Sequence, residues 1–219
     1  MKKLLLLFLP LVISLASCRE DTPELPEEMT VEAGIFQSTT EGSYWTYAAT
    51  DMLGQYAEFT HTLTGKKEMK GGKEFYEASV MYDGQPSDEK AYYHCSSAGL
   101  YSIISSNINQ DEETPCDYLD TKKAINTSWT TNYELGAGLP EARTQVTSKA
   151  KNFAMQVAGK QYKDVIQTSV AYQLKSNGAF VTVVTADYYI AKNVGIIKVV
   201  ASNGPSVIGS VELIDYLIK

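Results

Sequence analysis

The chain has little of what metal and nucleophilic chemistry draws on. Its 219 residues hold two histidines and three cysteines. His61 and His94 are too far apart for a two-histidine zinc motif. No Gly-x-Ser-x-Gly elbow and no phosphate-cradling glycine loop occurs. Positive charge is in deficit: 19 Lys and Arg against 26 Asp and Glu leave a net charge of -7. That is the wrong sign for a partner held by phosphate neutralisation, so no nucleic acid is expected. Acidic runs such as Asp88-Glu89 and Asp111-Glu112-Glu113 make no acid–base pair. Neighbours on a strand point apart, and a loop run of acids is solvated. No segment after the first eighteen residues keeps a helical period; only Ala48 to Leu53 has room for a short helix. These absences argue for a protein that is not an enzyme and has neither metal nor cofactor. What is present is ordinary for a globular chain, 44% apolar and 21% charged, which excludes a collagen-like or wholly disordered one. Fifteen Tyr and six Phe suit pleated surfaces.

Lys2 and Lys3 precede an apolar run, Leu4 to Leu15, broken by Pro10. The run falls short of the ~20 residues a spanning helix needs and reads as a secretory signal. Leu15-Ala16-Ser17-Cys18 resembles the lipobox of bacterial lipoproteins, in which cleavage precedes a cysteine that becomes lipidated. The resemblance implies a signal peptide over 1–17 and a lipid anchor on Cys18. The mature chain of 202 residues would then lose two Lys and carry a net charge of -9. Residues 18–41 form an acidic tether, with seven carboxylates between Arg19 and Glu41 and prolines at 23 and 26. Up to about Glu28 it is too polar to offset the cost of ordering. Arg19-Glu20-Asp21 resembles the export tag of Bacteroidota surface lipoproteins. It leaves the choice open between the periplasmic and the surface-facing leaflet of the outer membrane.

Residues 42–219 read as one domain made of two similar halves, about 42–105 and 124–219. Gly42-Ser43-Tyr44-Trp45-Thr46 recurs as Asn126-Thr127-Ser128-Trp129-Thr130. Gly72-Lys73-Glu74-Phe75 recurs as Gly159-Lys160-Gln161-Tyr162. Tyr92-Tyr93 with Gly99-Leu100 recurs as Tyr188-Tyr189 with Gly195-Ile196. Within the halves the pattern is β. From Tyr162 to Lys175, apolar and polar residues alternate for most of the length, which sends them to opposite faces of a strand. Asn177-Gly178 then marks a hairpin, because both residues tolerate positive φ. Gly71-Gly72, Asp83-Gly84, Gly136-Ala137-Gly138 and Asn203-Gly204-Pro205 are further turn signals. The expected fold is all-β: an internally duplicated antiparallel meander of ten or eleven strands, curved into a half-barrel or a barrel-like sheet. Ser105 to Lys123, with its acids and Pro115, reads as a surface loop between the halves.

The Trp-bearing strand, the Gly-Lys strand start, the Tyr-Tyr strand, Val194-Gly195-Ile196-Ile197 and Glu212-Leu213-x-x-Tyr216 together resemble Bacteroidota lipoproteins. Those are similar in architecture to the half-barrel, or β-clam, class of exported lipid-handling lipoproteins. The resemblance implies a fold and carries over no catalytic residue.

Each remaining candidate has two readings. Cys95 and Cys116 are an even pair in an exported chain, so a disulfide between them is expected; closing that loop would contribute ~3 kcal/mol. The alternative is plain packing. His61 shares parity with Phe59 and Leu63 and reads as a sheet residue, as does His94. Trp45 and Trp129 read as matched core anchors, or else as aromatic platforms for sugars or lipid chains. Tyr162, Ile166, Val170, Tyr172 and Leu174 form one apolar row, faced by Phe180, Val184 and Tyr188. Leaving that row in water would forfeit roughly 25 cal/mol per Å². It either is core or lines an apolar cleft for a lipid-like ligand. The partners implied are the membrane, through the lipid anchor, and a lipid, a glycan or an envelope protein. The function expected is a binding or assembly module of the cell envelope.

Overall fold

The structure, a computed structural model, describes residues 35–108, 111–134 and 139–219. The expected signal peptide, Cys18 and the first part of the expected tether lie outside the described residues, as does the Gly136-Ala137-Gly138 turn signal. Twelve antiparallel strands follow one another: β1 (Tyr44–Asp51), β2 (Tyr56–Lys70), β3 (Lys73–Tyr82), β4 (Gln85–Cys95), β5 (Leu100–Ser105), β6 (Asp111–Asp120), β7 (Ser128–Glu134), β8 (Glu141–Val157), β9 (Lys160–Ser176), β10 (Ala179–Ala191), β11 (Gly195–Asn203) and β12 (Ser206–Leu217). They form one sheet in the order β6-β5-β4-β3-β2-β1-β12-β11-β10-β9-β8-β7. The first and last strands therefore pair in the middle, Trp45 opposite Tyr216. The two edges, β6 and β7, are consecutive in the chain.

Local chemistry explains the hairpins. Asp83-Gly84 and Asn177-Gly178 take positive φ at both positions (46° and 78°, 50° and 81°), the mirror-image turn that matches the strands' twist. Two sequence expectations change. Ala48 to Asp51 is strand, because β1 is flanked by β2 and β12 and its ladder bonds outweigh the helix preference of two alanines. Ser105 to Lys123 is not a loop throughout but contains β6. Pro115 fits there because β6 is an edge strand and its ladder to β5 is irregular around Ile103 to Ser105.

The sheet curls until it nearly closes, and its concave side is filled by aromatic and branched side chains. Trp45, Tyr47, Tyr93, Tyr118 and Tyr188 are the largest of those fully enclosed. Tyr118 of β6 stacks on Tyr188 of β10, ring centres 5.6 Å apart, so the curl brings the β6 edge onto the far half of the sheet. Among the described residues no backbone ladder joins β6 to β7. Side chains hold the seam instead. Thr168 Oγ1 donates to the Tyr118 carbonyl at 2.6 Å, Lys151 Nζ to the Thr121 carbonyl at 2.8 Å, and Thr131 Oγ1 to Asp117 Oδ2 at 3.2 Å. Asp117 is otherwise neutralised by Lys73 Nζ at 2.6 Å.

The chain leads into β1 and β7 by the same path. Gly42 and Asn126 both take positive φ, 76° and 64°. Gly42 N–H donates to the Leu63 carbonyl and Leu63 N–H to that of Ser43; Asn126 N–H donates to Ser148 and Ser148 N–H to Thr127. The expected repeats diverge further in. Tyr93 is fully enclosed, whereas Tyr189 is half-buried and accepts a hydrogen bond from Gln167. The register shift between Tyr189 and Ile190 places its extra residue, Ile197, on β11, so β10 keeps its alternation and turns Ala186, Tyr188 and Ile190 inward. Tyr188 is the enclosed ring on that strand.

Candidate functional site

The turns β4–β5 and β10–β11, the end of β6 and the last residues of the chain meet at one end of the barrel-like sheet. The segment 35–43, whose residues 35–41 were expected to belong to the tether, folds over this end. Phe36 enters the core and packs edge-on against Tyr101, whose hydroxyl accepts the Phe36 N–H at 3.2 Å. Asn193 N–H bonds the Ile35 carbonyl at 2.8 Å. Ser38 Oγ meets Ser43 Oγ at 3.2 Å and accepts the Thr40 N–H, so short hydroxyl side chains shape the turn.

Between this strap and the turns lies a cavity of about 490 Å³. Ile35, Ile218 and Tyr101 supply apolar wall; Ser96, Thr121 and Lys219 supply polar groups. Gln37 is 1% exposed and lines it. Its amide nitrogen donates to the Ser38 carbonyl, but its Oε1 has no hydrogen-bond partner among the described residues. That oxygen sits where a side chain on Gly195 would collide with it, at 2.9 Å from an added Cβ. Cys95 also lines the cavity, and burial raises its thiol pKa, which keeps the sulfur protonated and weakly nucleophilic.

At the other end, His61 is fully buried on β2. Its Nδ1 meets Tyr93 OH at 2.6 Å and its Nε2 meets Asn107 Oδ1 at 3.3 Å. Asn107 donates to Tyr82, and Tyr82 to Glu89, so the ring is linked to the surface by a polar chain. Since Asn107 Oδ1 accepts from Nε2–H, Nδ1 accepts from Tyr93. Burial lowers the His61 pKa from 6.5 to about 4, so the ring is neutral at pH 7. With both nitrogens engaged, His61 ties the β5–β6 connection to the core, as its parity with Phe59 and Leu63 indicates.

The structure separates the other candidates. Cys95 and Cys116 are not bridged. Cys95 is opposite Tyr101 and Cys116 opposite Ile103, so β5 runs between them. Two strand spacings put their backbones ~9.5 Å apart, beyond the ~7 Å a disulfide spans. Cys116 instead meets the hydroxyls of Tyr172 at 3.4 Å and Tyr188 at 3.9 Å. Val170 and Tyr188 are fully enclosed, Tyr162 and Ile166 nearly so, and Tyr172 and Leu174 are half-buried. All but Leu174 belong to the packed interior cluster, and none of the six lines the end cavity. Phe180 leaves the expected row, because a bulge between Thr182 and Val184 reverses parity. Trp45 is a core anchor whose indole donates to the Val194 carbonyl at 2.6 Å; Trp129 is half-buried and its Nε1 has no partner among the described residues. No group of three His, Cys, Asp or Glu among the described residues is placed to hold a metal ion. The strap, the end cavity and Gln37 were missed from sequence. The one signal for them was Ile35-Phe36, an apolar pair closing an acidic stretch.

No family model and no curated protein matches the chain. Two crystal structures are similar in fold. One is described as an exported protein with a YMCC-like fold from Bacteroides fragilis, with 11% identity, a TM-score of 0.55, and coverage of 84% of this chain and 100% of that one. The other is described as a lipoprotein from Parabacteroides distasonis, with 13% identity, a TM-score of 0.53, and coverage of 84% and 99%. At such identities the likeness establishes the fold: a twelve-stranded antiparallel meander curled into a nearly closed, barrel-like sheet.

Proposed function

We propose that the protein is an exported lipoprotein of the cell envelope and a non-enzymatic binding module, which takes a small molecule in the end cavity under the 35–43 strap. The observation that carries the reading is the cavity with Gln37 at its wall. Its volume, about 490 Å³, is of the size that small-molecule sites favour. Its wall sets Ile35, Tyr101 and Ile218 beside Ser96, Thr121 and Gln37, so the ligand class is a compact molecule with an apolar body and a polar group. A lipid carried in the barrel interior is less well supported, since the protein's own aromatics occupy that space. Export is supported by the signal-like 1–17 and by the likeness to proteins described as exported and as a lipoprotein. Cys18 would carry the lipid and hold the chain at the outer membrane.

Native mass spectrometry of the full chain purified from its own envelope tests the cavity. A small molecule should accompany the wild type and be lost on Gln37→Leu, with the thermal midpoint as a check on folding. Wild type and variant both arriving bare, or equally loaded, would overturn the cavity reading. The anchor is tested separately by labelling with a fatty acid: Cys18→Ala should abolish the label and release the chain from the membrane.

A further inference from the structure

Arg143 is the single arginine among the described residues, and it has no carboxylate partner there. It stands on β8 in a row across four strands. Asn132 of β7 is directly opposite it, Gln173 of β9 is opposite on the other side, and Thr182 of β10 is opposite Gln173. The row is wired in one direction. Arg143 Nε donates to Gln173 Oε1 at 2.6 Å, and Gln173 Nε2 donates to Thr182 Oγ1 at 3.0 Å. The Phe180 ring lies under the guanidinium, 4.0 Å from Cζ to the ring centre. The nearby carboxylate of Glu141 is taken by Lys175 Nζ at 2.6 Å. One side of the guanidinium is thus bonded and one face is supported. Among the described residues the bond from Nε is its only side-chain hydrogen bond, and none of them uses the hydrogens of the two terminal nitrogens.

These nitrogens border a groove of about 440 Å³ at the end of the sheet away from the strap, between Thr130 and Asn132 on one side and Phe180 on the other. A guanidinium fixed in this way offers two parallel donors, the fork that a carboxylate or phosphate accepts. Beside it, Thr130 brings a hydroxyl and Asn132 an amide, groups that pair with the hydroxyls of a sugar. We infer that this groove is a binding site for an acidic saccharide, whose anionic group sits in the Arg143 fork and whose hydroxyls meet Asn132 and Thr130. The site is independent of the end cavity. A net charge of -7 works against any anion at long range, so the fork must act at contact.

Titration calorimetry on the full chain in detergent tests this with four probes: glucuronate, glucose 6-phosphate, inorganic phosphate and glucose. Saturable binding of glucuronate or glucose 6-phosphate, at least tenfold tighter than glucose, is expected. Which of the two binds better assigns the anion as carboxylate or phosphate. Arg143→Lys keeps the charge but loses the fork and should weaken binding at least tenfold; Asn132→Ala should weaken the sugar acids more than inorganic phosphate. Gln37→Leu should leave all four affinities unchanged, which separates this site from the end cavity. Equal affinity for glucose and glucuronate, insensitivity to Arg143→Lys, or no saturable binding of either acid would overturn the proposal. Inorganic phosphate binding as tightly as the sugar acids would reduce the site to a bare anion site and overturn the saccharide assignment.

Discussion

Mild acid should loosen this fold through one side chain. His61 is enclosed, and burial lowers its pKa from 6.5 to about 4. The unfolded chain, with an ordinary histidine, takes up a proton as the pH falls through 6.5; the folded chain does not until about 4. The unfolded state therefore binds more protons across this interval, and stability is drained as pH falls. At ~1.4 kcal/mol per pH unit, the full gap amounts to about 3 kcal/mol, of which about 2 kcal/mol is gone by pH 5. Contributions from carboxylates whose pKa values are lowered, such as Glu89 and Asp215, are lost at more acid pH. Urea unfolding followed by tryptophan fluorescence at pH 7, 6 and 5 reads the effect. Between pH 7 and pH 5, His61→Gln should lose about 2 kcal/mol less than the wild type. The variant's own cost cancels, because the reading is a slope against pH. Parallel slopes in the two proteins would refute the reasoning, as would a proton resonance titration placing His61 near 6.5.

The two tryptophans should respond unequally to Phe. Trp45→Phe breaks the bond to the Val194 carbonyl and leaves a void in a fully enclosed site, for a loss of ~2–4 kcal/mol in urea unfolding. Trp129→Phe removes a buried N–H that has no partner among the described residues and should cost less than ~1 kcal/mol. Thr168→Val removes a side-chain bond across the seam and should cost ~1 kcal/mol. Hydrogen exchange should then quicken in β6 and not in β1 or β2; uniform quickening would argue against a seam held locally.

The parity of Tyr162 to Lys175 and the Asn177-Gly178 turn made the β9–β10 hairpin legible from sequence, because both signals are local. What was hidden depends on register. β6 was obscured by Pro115 and three acids, features of a loop that an edge strand also accepts. The facing of Phe180 was obscured by a single-residue bulge in β10, which no alternation pattern reports. Ile35 and Phe36 look like the end of a tether until Tyr101 and Asn193 are brought against them by the turns. Arg143 shows nothing in its neighbourhood along the chain. Its meaning comes from Asn132 and Gln173, which lie opposite it only once three strands are aligned.

The pairing of β1 with β12 also has a mechanical side. Tension applied to the chain from its N-terminal side is transmitted through Phe36 into β1. That strand is zipped along both flanks, to β2 and to β12. Drawing it out means parting two ladders together, whereas β7 would come away from β8 alone. A pull from that direction thus meets a doubly held strand, and the fold should outlast forces that would strip an edge strand.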